Sequence, residues 1–176
     1  MAQKYINYIQ LRAARHVLNL GVRDLAKVLK VSKATISKTE LGKTRDFLYK
    51  HSAALIDFFF IHNITFPNEY CIRYHPTVSV DVLNIVDDNG LFISRFQLRA
   101  ARHILNISQE ELAERINIKK TIITTAELLQ NNEYVLTNNI PAATCLKTFF
   151  KLNNIEFSDK SSIVFKKYVD KFQSGW

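Results

Sequence analysis

A stretch of 32 residues occurs twice in this chain, and that repetition constrains the fold more than any other feature. Gln10 to Leu41 reads QLRAARHVLNLGVRDLAKVLKVSKATISKTEL; Gln97 to Leu128 reads QLRAARHILNISQEELAERINIKKTIITTAEL. The two align at an offset of 87 without a gap. They share the block QLRAARH, then Leu-Asn, Leu-Ala, Lys33/Lys120 and the closing Glu-Leu. Val17/Ile104, Leu20/Ile107, Leu29/Ile116 and Val31/Ile118 are apolar exchanges. A second stretch repeats at an offset of 91, FFFIHNITF from Phe58 and FFKLNNIEF from Phe149, each followed by a β-prone run, CIRYH from Cys71 and SIVFKKY from Ser162. A fixed internal period marks a duplicated structural unit. The change of offset places four extra residues in a loop of the second copy.

Each copy reads as four or five helices ending in a short β-hairpin, so the chain is expected to be mainly α. The modules are expected over residues 1–75 and 91–176, with 76–90 as connection; the turn signal DDNG closes that segment. Composition agrees. Four glycines and three prolines in 176 residues argue against a turn-rich all-β fold and against glycine-rich phosphate loops. Two cysteines exclude a disulfide scaffold, and both thiols are expected to be buried. The N-terminus lacks a signal-peptide pattern and no window is apolar enough for a membrane span, so a cytoplasmic protein is expected. His51, His62, Cys71 and His75 match no zinc spacing, and neither a metal nor a cofactor is expected. No catalytic triad, apolar carboxylate pair or phosphate loop is legible, so the chain is not expected to be an enzyme.

Within copy one, apolar residues at helical spacing run from Tyr5 to Asn19, resume over Val22 to Leu29, and give way to Ser32 as the N-cap of a helix over 33–41 that Gly42 stops. Copy two repeats this, with Ser108 and Glu111 as a capping box and a second such helix over 120–128. Two short helices joined by a tight turn form a helix-turn-helix arrangement. Through LNISQEELAERINI in copy two and VSKATISKTELG in copy one, both copies resemble the lambda-repressor-like (Cro/XRE) helix-turn-helix family. The resemblance covers about 32 residues of each copy and implies that the second motif helix enters the DNA major groove with its first residues on base edges.

Carried over on that resemblance, the base-reading positions are Lys33, Ala34, Thr35 and Lys38 in copy one, and Lys120, Thr121 and Thr125 in copy two, with Ile122 where copy one has Thr35. Lysine donates to guanine O6 and N7; alanine and threonine methyls meet thymine methyls. Phosphate contacts are expected from Arg12, Arg23, Ser32, Lys43, Thr44, Arg45, Gln109 and Lys119. Arg15 and Glu40, like Arg102 and Glu127, lie 25 residues apart. The resemblance implies partly buried ion pairs tying the first helix to the third. His16 and His103 are expected in packing, and the phenylalanine runs in the core or between modules.

Charge separates the copies. The net charge is +8 with a pI near 9.5, and residues 1–45 alone carry +8, against −4 over 46–90 and +2 over each remaining quarter. The cations Lys43 and Arg45 have no counterpart after the second motif helix, where Gln130, Asn131 and Asn132 stand. The resemblance therefore implies a regulator, bacterial or phage-encoded, that binds specific double-stranded DNA, with the first copy dominant. It implies a homodimer or, from one chain, a pseudo-dimer joined through the hairpins. The alternative is an antitoxin-like or interaction module in which one or both copies bind a protein partner.

Overall fold

The computed structural model describes residues 5–76 and 90–166. Most of the expected connection over 76–90, and the last ten residues of the second module, lie outside them. Within the described residues the chain is mainly helical, eight helices with one small antiparallel sheet: α1 (Tyr8–Val17), α2 (Val22–Val28), α3 (Lys33–Glu40), α4 (Asp46–Ile61), β1 (Ile64–Thr65), β2 (Cys71–Tyr74), α5 (Arg95–Ile104), α6 (Gln109–Arg115), α7 (Lys120–Ala126), α8 (Ile140–Leu152), β3 (Ile155–Asp159) and β4 (Ser162–Phe165). Each copy thus has four helices and a hairpin. No helix among these residues is long and apolar enough to cross a membrane.

The duplication extends to backbone detail. α5 and α6 begin and end 87 residues after α1 and α2. The left-handed residues that end the helices recur in pairs: Asn19 and Asn106 at φ 57° and 54°, Lys30 and Asn117 at 53° and 54°, Asn63 and Asn154 at 63° and 60°. Such residues let a helix end while its last carbonyls stay bonded. The ring pairs Phe59–Phe66 and Phe150–Phe157 repeat too, edge to face at 5.6 and 5.9 Å.

The repeated Gln10 and Gln97 explain why the helices and hairpins assemble alike. Gln10 Oε1 accepts from the Asn7 backbone N–H at 3.1 Å, while Asn7 Oδ1 accepts from the Gln10 backbone N–H at 2.9 Å. Ser94 and Gln97 form the same capping box. Each glutamine then uses its remaining donor on its own hairpin: Gln10 Nε2 donates to the Asn68 and Cys71 carbonyls at 2.8 and 3.0 Å, and Gln97 Nε2 to those of Ser162 at 3.0 Å and Asp159. One buried amide therefore fixes both a helix start and a strand.

The sheet order is β1-β2-β4-β3, so one hairpin from each copy joins at β2 and β4. Ile72 pairs with Ile163, its own repeat equivalent; Cys71 faces Val164 and Arg73 faces Ser162. These registers place an approximate twofold axis at the Ile72–Ile163 pair. α1 and α5 pack on each other above it, and the repeat equivalents His16 and His103 stack at 3.4 Å, on the same axis. Both copies feed one core, in which Leu11, Leu25, Ile36, Leu55, Phe59, Phe96, Leu98 and Phe150 are fully buried. Burial of each such side chain contributes roughly 1.5–3 kcal/mol.

The four extra residues of copy two lie between α7 and α8. There Val135 N donates to the Ile93 carbonyl and Arg95 N to that of Glu133, so the enlarged loop packs along the approach to α5 and buries Val135. Three local expectations are corrected. The helix expected over 120–128 ends at Ala126, with Glu127 as its C-cap. Cys145, on the outer face of α8, is exposed; only Cys71 is buried. Phe60 is exposed, pointing away from the core that Phe59 fills.

Candidate nucleic-acid interface

α3 spans eight residues between its Ser32 cap and Leu41, and Ile36 anchors it in the core. Ser32 Oγ accepts from the Thr35 backbone N–H at 3.0 Å. Ile36, Thr39 and Glu40 face inward. This leaves Lys33, Ala34 and Lys38 exposed and Thr35 half-buried on the outer side. Gly42, in the left-handed region at φ 72°, ends the helix. Lys43, Thr44 and Arg45 follow in exposed positions, Thr44 Oγ1 lying 3.2 Å from Thr39 Oγ1. Arg23 is exposed near the start of α2. The structure therefore brings Arg23, Ser32, Lys33, Ala34, Lys38, Lys43, Thr44 and Arg45 to the surface of copy one.

Arg12 departs from its expected phosphate contact. It is buried between the copies, donating from Nε to the His103 carbonyl at 2.8 Å, from Nη2 to the Ile104 carbonyl at 3.1 Å and from Nη1 to the Glu40 carbonyl at 3.1 Å. It caps the C-terminus of α5, whose last carbonyls lack helical partners and attract a cation.

In α7, Ile123 and Ala126 face inward while Lys119, Lys120, Thr121 and Thr125 are exposed and Ile122 is half-buried. Lys119 occupies the cap position without a side-chain cap bond. Lys120 Nζ is ion-paired with Glu110 Oε2 at 3.1 Å. Gln109 also departs from its phosphate expectation: Nε2 donates to Glu127 Oε2 at 3.0 Å, and Oε1 accepts from Thr124 Oγ1 at 3.3 Å. Its amide is spent between α6 and α7, whereas the equivalent in copy one is Val22.

Arg15 and Glu40 meet in a bidentate ion pair at 2.6 and 2.7 Å, and Arg102 and Glu127 repeat it at 2.6 and 2.8 Å. Each guanidinium also donates to the carbonyl that follows its helix, Leu20 or Ile107. All four side chains are at most 8% exposed. These pairs fix the angle at which α3 and α7 leave the core.

Two arginines of copy two were not singled out from sequence. Arg95, buried, donates from Nη1 to the Val17 carbonyl at 3.1 Å and to Asn131, and from Nε to the Glu127 carbonyl. It caps α1 as Arg12 caps α5, although it is the repeat equivalent of Tyr8. Arg99 is the true equivalent of Arg12, yet its buried Nε has no hydrogen bond and lies 3.9 Å from Glu127. Burial first, then the Arg95 charge, pulls the Arg99 guanidinium down to about 10. His16 is pushed down to about 3 and His103 lower, chiefly by burial and then by the adjoining arginines, so both rings are neutral. The chain matches no family model, no curated protein and no solved structure.

Proposed function

We propose that the chain is a sequence-specific double-stranded DNA-binding regulator, in which α2–α3 and α6–α7 are helix-turn-helix units and one polypeptide supplies both halves of a pseudo-dimer. The observation that carries this reading is the outer face of α3. Lys33 and Lys38 project from a helix whose inner face is locked by Ile36 and the Arg15–Glu40 pair. Neither lysine forms an ion pair among the described residues, and Arg23 on α2 and Lys43 and Arg45 just after α3 are also exposed. A rigid helix with free donors and flanking cations suits base edges in a groove and phosphates beside it. The twofold relation of the copies supports two half-sites, and the differing faces of α3 and α7 support unlike ones.

A second reading rests on α7. Leu128 is 80% exposed and Leu129 38%, just after α7, and Ile122 on α7 is half-buried. An apolar edge of that kind favours a protein partner on the second module.

Fluorescence anisotropy with random-sequence and operator-enriched duplexes, titrated across salt, tests the first reading. Counterion release predicts log K falling linearly with log salt, at a slope of about −0.9 per phosphate contacted. Binding confined to protein partners, unaffected by salt, would favour the second.

A further inference from the structure

Residue 23 in copy one and residue 110 in copy two are repeat equivalents, each the second residue of the helix preceding α3 or α7. The first is arginine and the second glutamate. Glu110 accepts from Lys120, the first residue of α7, with both side chains more than half exposed. Lys120 is the repeat equivalent of Lys33, which forms no ion pair among the described residues; Arg23 stands where copy two has Glu110. The outer faces thus present Arg23, Lys33 and Lys38 in copy one against Glu110, Lys120 and Thr125 in copy two: three cations against a cation, an anion and a hydroxyl. An exposed ion pair contributes little to stability, so the pair is not explained by folding. Its consequence is electrostatic. Any duplex approaching α7 brings phosphates towards a carboxylate and must compete with it for Lys120.

We propose that Glu110 is the specificity-determining residue of the second module: it withholds Lys120 from guanine and phosphate, leaving α7 to read through the methyl groups of Thr121, Ile122 and Thr125. These groups match the C5-methyl of thymine. The preferred duplex is therefore asymmetric, a guanine-containing half under α3 and a thymine-rich half under α7. This inference rests on the DNA-binding reading and deepens it.

The test is a double-mutant cycle in the full-length chain, Glu110→Gln with Lys120→Ala, with Glu110→Arg as a gain-of-function variant; circular dichroism checks that each folds. The probe is a duplex selected by the wild-type chain, followed across salt. Lys120→Ala alone is expected to weaken binding less than about twofold, but about five- to tenfold in the Glu110→Gln background, where the lysine is free. Glu110→Arg is expected to tighten binding about tenfold at ~0.1 M salt, to steepen the salt slope by about one to two phosphates, and to raise the guanine content of the second half-site on reselection. Equal losses from Lys120→Ala in both backgrounds, with an unchanged slope in Glu110→Arg, would overturn the role of Glu110 while leaving DNA binding intact. Absence of salt-dependent duplex binding by the wild-type chain would overturn both.

Discussion

His16 and His103 stack with ring centroids 3.4 Å apart and planes within 6° of parallel, and each is the other's repeat equivalent. The pair marks the axis where α1 crosses α5. Arg12, Arg15, Arg99 and Arg102 surround it, and Glu40 and Glu127 are the carboxylates paired into the same cluster. Two imidazolium rings could not share this site without mutual repulsion and a desolvation cost, which is why both are neutral.

Stability should therefore depend on pH through this stack. The ordinary histidine value is 6.5, and in the fold His16 holds out to about 3, with His103 also depressed. Between those values the unfolded chain binds more protons, so stability is complete above about pH 6.5 and is lost as the pH falls. Since both rings retain some solvent contact, a loss of roughly 1–3 kcal/mol between pH 7 and 4.5 is expected. Urea unfolding of the wild type and of His16→Phe/His103→Phe, which retains an aromatic stack and every other titratable group, measures it. The double variant should lose clearly less stability over that range.

The Arg15–Glu40 pair is predicted to behave as a unit. Arg15→Met or Glu40→Leu alone strands a buried charge and should cost about 3–5 kcal/mol, whereas the double change should cost far less than the sum. Chemical denaturation of the three variants gives the coupling energy. Additive losses would mean that the two groups do not depend on each other.

Arg12 should influence folding rather than DNA affinity. Arg12→Ala removes the donor to the Glu40 and Ile104 carbonyls and one of those to His103, which still accepts from the Asn106 N–H, and a destabilisation of about 2–4 kcal/mol is expected. Under conditions where the variant remains folded, its salt slope for duplex binding should equal that of the wild type. A slope reduced by about one would instead place Arg12 on a phosphate.

Lys33 and Lys38 should matter more than Lys120. Together Lys33→Ala and Lys38→Ala are expected to cost about 10- to 100-fold in duplex affinity, at roughly 1–3 kcal/mol for a specific base contact. Lys120→Ala is expected to cost less than about twofold. Competition binding with one labelled duplex makes the comparison, and equal losses would remove the asymmetry.

Much of the architecture was legible because a duplicated chain reports its own register. The 87-residue offset aligned α5 and α6 with α1 and α2, and Ser32, Ser108 and Glu111 marked helix starts through local chemistry that tertiary contacts did not override. The arginines show where legibility ended. Arg12 and Arg99 sit in identical QLRAARH blocks, yet one caps a helix and the other has an orphaned Nε. The difference originates at Tyr8 and Arg95, one turn earlier, where the second copy gained a guanidinium that reaches α1 first. No local pattern reveals such a competition between copies. Gln109 is illegible for a similar reason, since its amide is held by Glu127 and Thr124 only in the packed α6–α7 arrangement.

One chain is expected to read two unlike half-sites, with α3 on one and α7 on the other. Selection of bound sequences from random duplex DNA, using the purified full-length chain at near-physiological salt, tests it most directly. A single enriched motif with two different halves in inverted orientation, guanine-containing in one and thymine-rich in the other, is the predicted result. A perfect palindrome, a lone half-site or no enrichment would contradict it.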